Sequence, residues 1–194
     1  MRRQPKQLRS RQTVEAVLDA VLKILKRSGI AGVTTNHIAA VAGVSIGSVY
    51  QYFPDKRAIF AALHDHHVGE MARLVERTLV DHAAAPLDEL VRALVEALIE
   101  AHGSDPELHH ALADVPNGAD GTRSFQARLR NALRLAISAR AEVRYAREEL
   151  DRLLFVLPVM IDALAHGVAH RGPGLSLTAA KREAVRAVLA YLHA

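Results

Sequence analysis

Apolar residues recur every three or four positions along nearly the whole chain, which is the pattern of helices that bury one face. The first clear example is the set Val14, Val17, Leu18, Val21, Leu22 and Leu25. Clusters of turn-forming residues separate the periodic stretches, and no stretch shows the alternation of a strand. The pattern therefore predicts an all-α fold of about nine helices.

Residues that favour helix ends give approximate bounds for these helices. Lys26-Arg27 and Ser28-Gly29 end the first helix, and Thr34 and Asp55 are suitable N-caps for later ones. The predicted helices after the first cover residues 34–42, 45–52, 55–82, 87–102, 105–115, 122–144, 147–170 and 177–193. Pro158 lies inside one of them and should kink it and leave a backbone carbonyl without its usual donor.

Composition restricts the function classes. Half of the 194 residues are hydrophobic, which is enough for a sizeable core. The chain has no cysteine, which excludes disulfides, zinc–thiolate sites and thiol catalysis. There is no run of 18 uncharged apolar residues, and no apolar signal segment follows the basic N-terminus. We therefore expect a cytoplasmic protein with no membrane partner.

Charge is distributed unevenly along the chain. Residues 1–57 contain ten Lys and Arg against three acidic residues, a net charge of +7. The remaining residues contain 15 basic and 18 acidic residues, a net charge of −3. A basic end favours a polyanionic partner, although basic N-termini are also often solvated tails.

Residues 35–54 form a pattern typical of a helix-turn-helix. Ile38, Val44 and Val49 are spaced so that they can share a small core, and Ala39 lets a second helix cross closely. Gly43 lies where a tight turn needs a positive φ. In this motif the second helix enters the major groove of DNA.

The second helix holds three of the chain's eight Tyr and Phe residues within four positions. Phe53 has no polar atom and should fill the core beneath the helix, whereas the two tyrosines can each donate a hydroxyl to phosphate. Ser45 should cap the helix and direct its free N–H groups towards phosphate. The residues predicted to point away from the core are Ser45, Ile46, Gly47, Ser48, Gln51 and Tyr52.

The same segment resembles the DNA-binding domain of the TetR (tetracycline repressor) family of transcriptional regulators. The matching string is Thr34-Thr35-x-x-Ile38-Ala39-x-x-Ala42-Gly43-Val44-Ser45-x-Gly47-x-Val49-Tyr50-x-Tyr52-Phe53-x-x-Lys56. The resemblance is sharp over about residues 12–62, and beyond that it depends only on the number and length of the helices.

The resemblance implies roles for individual residues. Thr35, Tyr50, Tyr52 and Lys56 match phosphate contacts, and the base-reading set comprises Ile46, Gly47, Ser48 and Gln51. Ile46 occupies a position where the family can have a polar reader, so it reads either a thymine methyl group or nothing. The basic arm is either a solvated tail or an additional DNA contact.

The resemblance also implies a homodimer that binds a palindromic operator in double-stranded DNA and releases it when a small-molecule effector binds. The expected organisation is a basic flexible arm over 1–11, a helix-turn-helix domain over 12–57 and a helical ligand-binding and dimerisation domain over 58–194. Movement of the 55–82 helix would link the effector to the DNA-reading helices.

Two residue sets follow for the C-terminal domain, and residues of either set can equally be plain core. Apolar and histidine side chains between helices are candidates for an effector pocket: Met71, Leu98, His102, His109, Phe125, Leu129, Phe155 and Val159. The apolar stripes of the last two helices are candidates for a four-helix dimer interface: Leu153, Leu157, Ile161, Leu164, Val185, Val188, Leu189 and Leu192.

Eleven histidines raise the question of a metal site. His64 and His67 share a helix face, but a third ligand would have to come from elsewhere, such as His102 or His109. No HExxH, Walker or GxSxG motif occurs. We therefore expect no metal, no cofactor besides the effector, and no enzymatic activity. A ligand-independent DNA-binding regulator and a helical enzyme or binding protein remain as alternatives.

Overall fold

The computed structural model describes residues 8–104, 108, 111–112, 118–140, 145–169 and 174–194. Over these residues the chain forms eight α-helices, a short 3₁₀ helix and no strand, which confirms the all-α prediction. The elements are α1 (Leu8–Ser28), the 3₁₀ helix (Ile30–Gly32), α2 (Thr35–Ala42), α3 (Ile46–Tyr52), α4 (Lys56–Asp81), α5 (Leu87–Gly103), α6 (Gly118–Ser138), α7 (Arg147–Ala169) and α8 (Leu177–Leu192).

The chain divides into two compact units. The head unit comprises Met1–His67 and Glu107–Gly121, and the C-terminal unit comprises Val68–Pro106 and Thr122–Ala194. The division falls inside α4, ten residues after the expected boundary at residue 57. The 26-residue helix α4 therefore contributes to both units.

The head unit is built around one apolar cluster. The inner face of α1 is fully buried there, as its three- and four-residue spacing predicts, and Ile38, Val49 and Phe53 meet it from α2, α3 and the turn after α3. Leu108 and Leu112, which come from beyond α5 in sequence, are buried in the same cluster. The head core thus includes a segment from the middle of the chain.

The C-terminal unit has its own core, in which α5, α7 and α8 pack on one another. Helix α6 adds buried apolar side chains to the same core. The fully buried large side chains of this core include Leu90, Leu94, Leu98, Ile99, Leu129 and Leu133. Packing of these stripes provides most of the helical stability, because isolated helices of this length are marginal in water.

Helix bounds differ from the sequence prediction mainly at α6. It covers Gly118–Ser138 rather than 122–144, so Gly118 to Gly121 are helical and do not form the predicted turn. The buried stripe of Phe125, Leu129 and Leu133 outweighs the low helix propensity of the glycines.

The predicted 105–115 helix lies largely outside the described residues. Helix α1 begins at Leu8, so the last four residues of the expected arm are helical, and residues 1–7 lie outside the described part.

Pro158 lies inside α7, as expected, and the carbonyl that it leaves without a donor has another partner. Proline cannot donate to the carbonyl four residues earlier, which is that of Leu154. The Nε of Arg130 on α6 donates to the Leu154 oxygen at 3.0 Å. The packing of α6 therefore satisfies the backbone group that the proline frees.

Candidate nucleic-acid interface

The turn between α2 and α3 is set by Gly43. Its backbone is left-handed, with φ 67° and ψ 29°, a region that favours glycine. The N–H of Gly43 donates to the Ala40 carbonyl and the N–H of Val44 donates to the Ala39 carbonyl, which satisfies the end of α2. This confirms the predicted glycine turn and fixes the angle at which α3 leaves α2.

Both helices of the motif begin at the predicted capping residues. The Thr34 hydroxyl accepts from the backbone N–H of His37 at 3.2 Å. The Ser45 hydroxyl accepts from the N–H of Ser48 at 3.0 Å and lies 2.8 Å from the Ser48 hydroxyl. The hydroxyl of Ser48, expected to face bases, is therefore engaged with the cap in the free protein.

Helix α3 separates an inner face from an outer face. Val49 is fully buried and Phe53 is 1% exposed, whereas Tyr50 is 45% exposed. The outer face of α3 consists of Ile46, Gly47, Tyr50 and Gln51, with Ser45 just before it. Tyr52, expected to point outward, is half-buried and packs against the head cluster. Only its remaining exposed part is accessible to a partner.

Thr35 and Lys56 are the first residues of α2 and α4. The Nζ of Lys56 donates to the Ile30 carbonyl at 3.3 Å and lies 5.5 Å from the centroid of the Phe60 ring. It therefore ties the start of α4 to the 3₁₀ turn and still has two further donors. Thr35 is half-buried at the first position of α2.

Two residues that the sequence analysis did not single out shape this region. The Nδ1 of His37 lies 3.0 Å from the Gly32 carbonyl and must carry the proton, because a carbonyl only accepts. A Cβ at Gly32 would lie 2.5 Å from the Cβ of Ser28, so the 3₁₀ turn approaches α1 too closely for a side chain. A glycine after a helix end is a weak sequence signal for such an approach, and nothing in the sequence singles out His37.

The expected effector-pocket residues fall into two groups. Leu98, His102, Phe125 and Leu129 are buried in the C-terminal unit, and Met71 packs against its core. His109 lies outside the described residues.

Phe155 and Val159 correct the sequence prediction. Phe155 is 69% exposed and Val159 is also exposed, so they lie on the outer face of α7 and do not line an interior. They are spaced four residues apart, which puts both on the side of α7 opposite Leu157 and Ile161.

A small polar cluster lies among the ends of α5, α6 and α7. His102 is buried, its Nδ1 lies 2.8 Å from the Leu98 carbonyl, and its ring meets that of His166 edge to face at 5.4 Å. Gln126 donates to Asp162 at 3.1 Å. Burial lowers the pKa of His166, the charge of His102 lowers it further, and Asp162 partly opposes both. The lowered pKa favours the neutral imidazole of His166 beside the apolar core.

Most of the residues expected at the dimer interface are buried in the protomer's own core. Leu164 and Leu189 are half-buried, and the others are shielded within the C-terminal cluster: Leu153, Leu157, Ile161, Val185, Val188 and Leu192. Their packing stabilises the protomer, and their role in a dimer interface stays a prediction.

The outer face of α7 is unusually apolar. Phe155, Val159, Ala163 and Gly167 follow one another at four-residue intervals and are all exposed. Gly167 also borders an open groove of about 540 Å³ between α7 and α8, which Leu164, Ala187 and Ala190 line as well. Helix α7 is apolar and long enough to cross a membrane. Core helices of soluble proteins share these two properties, and the inner face of α7 is packed in the core.

Within the described residues, no three histidine or acidic side chains are grouped closely enough to hold a metal ion. His64, His66 and His67 all lie on α4, and His109 and His110 are outside the described part.

Replacing Gly47 by alanine should affect folding and DNA binding in opposite directions. The nearest atom to an added Cβ is the Ser45 hydroxyl oxygen at 3.7 Å, so the free protein has room for it. Stability should rise by up to about 1 kcal/mol because alanine is the better helix former. DNA affinity should fall if this face meets a groove. Urea unfolding and fluorescence anisotropy measure the two effects. Gly103→Ala is the matched control, because its added Cβ meets nothing and the residue belongs to the C-terminal unit. Unchanged affinity in Gly47→Ala would contradict a close approach of DNA.

Comparison with known proteins gives consistent matches. The sequence profile of "Bacterial regulatory proteins, tetR family" matches residues 17–63, and that of "Tetracyclin repressor-like, C-terminal domain" matches residues 86–192. The HTH-type transcriptional regulator BetI of Cronobacter sakazakii is 33% identical over 99 residues, which cover 49% of this chain and 45% of that protein. AcrR of Shigella flexneri is 26% identical over 102 residues, covering 51% of this chain and 47% of AcrR. The matched segment thus spans about half the length of these curated relatives.

Solved structures share the fold over nearly the whole chain. A TetR-family transcriptional regulator from Streptomyces coelicolor superposes with a TM-score of 0.67 at 22% identity, covering 93% of this chain and 98% of the other. FadR from Bacillus subtilis, crystallised in complex with stearoyl-CoA, superposes with a TM-score of 0.65 at 15% identity, covering 91% and 98%. At these identities the likeness concerns the fold alone.

Proposed function

The chain belongs to the TetR family of bacterial regulatory proteins, and from that premise we propose that it is a homodimeric repressor that a small-molecule effector releases from a palindromic operator. The observation that carries the DNA-binding part is the outer face of α3. It presents Ile46, Gly47, Tyr50 and Gln51 to solvent while Val49 and Phe53 fix the helix from below. A helix held in this way can enter the major groove as a rigid body.

Within that proposal, the contacts divide into two kinds. Tyr50, Lys56 and Thr35 hold phosphates, and the exposed edge of Tyr52 adds a weaker contact. Gly47, Gln51 and Ile46 face the bases, whereas Ser48 must exchange its bond to Ser45 for one to DNA. The net charge of +7 over residues 1–57 supplies the long-range attraction.

We place the dimer interface on the outer apolar face of α7 and on the groove that it shares with α8. Because Leu157 and Ile161 are buried in the protomer's own core, the apolar surface that α7 presents to a partner includes Phe155, Val159 and Gly167. An exposed apolar stripe of this kind marks an interaction surface. A two-fold axis through it would pair α7 and α8 with their copies in a four-helix interface.

The effector would bind inside the C-terminal unit, near the polar cluster of His102, His166, Asp162 and Gln126. Buried apolar walls with a few polar groups are the usual composition of such sites. FadR of Bacillus subtilis, whose fold is similar, was crystallised with stearoyl-CoA.

Helix α4 is the proposed link between the effector and DNA. Its residues belong to the head as far as His67 and to the C-terminal unit from Val68 onward. Both recognition helices of a dimer must be about 34–36 Å apart, or a multiple, to dock on successive major grooves. An effector that favours another spacing by ~1–3 kcal/mol changes operator occupancy about 5- to 150-fold.

A gel-shift experiment with DNA from upstream of the protein's own gene tests the proposal. We expect a retarded band that Tyr50→Ala weakens. We expect Lys56→Ala to lower the steepness of log affinity against log salt by about 2 on the full operator, about 1 for each protomer. Absence of binding to any duplex at low salt would refute the DNA-binding function.

Gln51→Ala should change sequence preference more than overall affinity. Removing a bidentate base contact relaxes discrimination at one base pair by about 1–3 kcal/mol. Competition between the operator and point-mutated duplexes measures this, with Lys56→Ala as the control that should weaken all sequences alike. An equal loss on every duplex for Gln51→Ala would exclude a base-reading role.

A further inference from the structure

Arg140 is a buried cation that lies just after the end of α6. In the described part of the chain, all of its hydrogen bonds go to backbone carbonyls. Its Nη1 donates to the Ala136 oxygen at 2.8 Å and its Nε to the Ala85 oxygen at 3.0 Å. Its Nη2 donates to the oxygens of Ala85 at 2.8 Å and His82 at 3.0 Å. One guanidinium therefore joins the end of α6 to the turn between α4 and α5.

These acceptors lie at two helix C-termini. Ala136 belongs to the last turn of α6, and His82 and Ala85 follow α4, which ends at Asp81. The last carbonyls of a helix lack intrahelical donors and carry the negative end of its dipole. A planar guanidinium can satisfy several of them at once, which a lysine ammonium cannot do with the same geometry.

The last turn of α4 is also held by its own side chains. The hydroxyl of the buried Thr78 donates to the Leu74 carbonyl at 2.9 Å, and the Nδ1 of His82 lies 3.0 Å from the Thr78 carbonyl. Together with Arg140, these bonds fix the C-terminal end of α4 within the C-terminal unit.

We propose that Arg140 is a positioning residue for the effector response: it anchors the C-terminal end of α4, so that regulatory movement is concentrated at the end of α4 that belongs to the head. This rests on the proposed function. A helix of 26 residues is ~39 Å long, and a tilt of ~5° about one fixed end displaces the other by ~3 Å. Without the anchor, the two heads of a dimer lose their defined spacing.

The substitution Arg140→Lys tests the proposed anchor, because it keeps the positive charge but loses the planar guanidinium that donates to several carbonyls at once. We expect the affinity for a palindromic operator to fall about tenfold, within the usual range of coupling between sites. Affinity for a duplex with a single half-site should stay within about twofold, because one head needs no defined spacing. The matched control is Arg134→Lys on α6, where the exposed pair with Asp151 should contribute little. Binding is measured at a temperature at which circular dichroism shows all three proteins folded.

Two results would overturn the proposal. One is an operator affinity of Arg140→Lys within twofold of the unmodified protein, and the other is an equal loss on the operator and the half-site. Should the variant not fold, hydrogen exchange of the unmodified protein decides the question. The amides of residues 78–82 must then be strongly protected, with and without operator, and fast exchange there refutes an anchored end. Failure of the unmodified protein to bind either duplex would instead refute the regulator function, while its hydrogen exchange still tests the anchor.

Discussion

Replacing Phe53 by alanine should lower the free energy of unfolding of the head by about 3–5 kcal/mol, the usual range for removing a buried aromatic ring. Phe53 is 1% exposed and belongs to the head cluster with Val49 and Leu63. The cavity would lie directly after α3, so the recognition helix would lose its support and DNA binding would fall with stability. Urea unfolding followed by circular dichroism, together with a gel shift, measures both losses.

Tyr50→Ala is the matched comparison, because it removes an aromatic ring from the same segment but from the exposed face. Its effect on stability should lie within about 0.5 kcal/mol, as is usual for surface positions, while its effect on DNA binding should be clear. Comparable destabilisation by the two substitutions would show that the aromatic cluster is one common core and would contradict a division between core and DNA contacts.

Sequence alone predicts the helix-turn-helix well because its determinants are local. Thr34, Ser45 and Asp55 each cap a helix through a backbone N–H three residues ahead. Gly43 adopts the left-handed conformation that a tight turn requires. These interactions involve neighbours in sequence, so residue type and spacing largely determine them.

The C-terminal unit is harder to predict because its helices are apolar on more than one side. The sequence of α7 offers both Leu157 and Phe155 as candidates for the inside, and only packing against α5, α6 and α8 shows that Leu157 is buried and Phe155 is exposed. A hydrophobic pattern indicates that a helix has partners but not which face meets which partner.

Contacts between residues far apart in sequence were not predictable at all. Arg140 bonds to carbonyls 55 and 58 residues away, and Lys56 bonds to one 26 residues away. A backbone carbonyl has no residue-type signature, so no motif points to such an acceptor.

In the proposed homodimer, Phe155→Asp should convert the dimer to a monomer and lower operator affinity by about 100-fold or more, because linked half-site binding typically contributes factors of 10² to 10⁴. The aspartate would put a carboxylate into an apolar interface with no partner, and a two-fold axis would bring its copy close by. Sedimentation velocity measures the oligomeric state, and titration of operator against single half-site duplexes measures the affinity. Half-site binding should be nearly unchanged, because α3 is untouched.

Leu135→Asp provides the control for this prediction, since Leu135 is 72% exposed on α6 and Phe155 is 69% exposed on α7. Both substitutions replace an exposed apolar side chain by a carboxylate, so general effects on solubility and net charge are equal. Only Phe155 lies on the outer stripe of α7 that leads to the groove shared with α8. If Leu135→Asp dissociated the dimer and Phe155→Asp did not, the interface would have to include α6, and the exposed stripe of α7 would need a different partner.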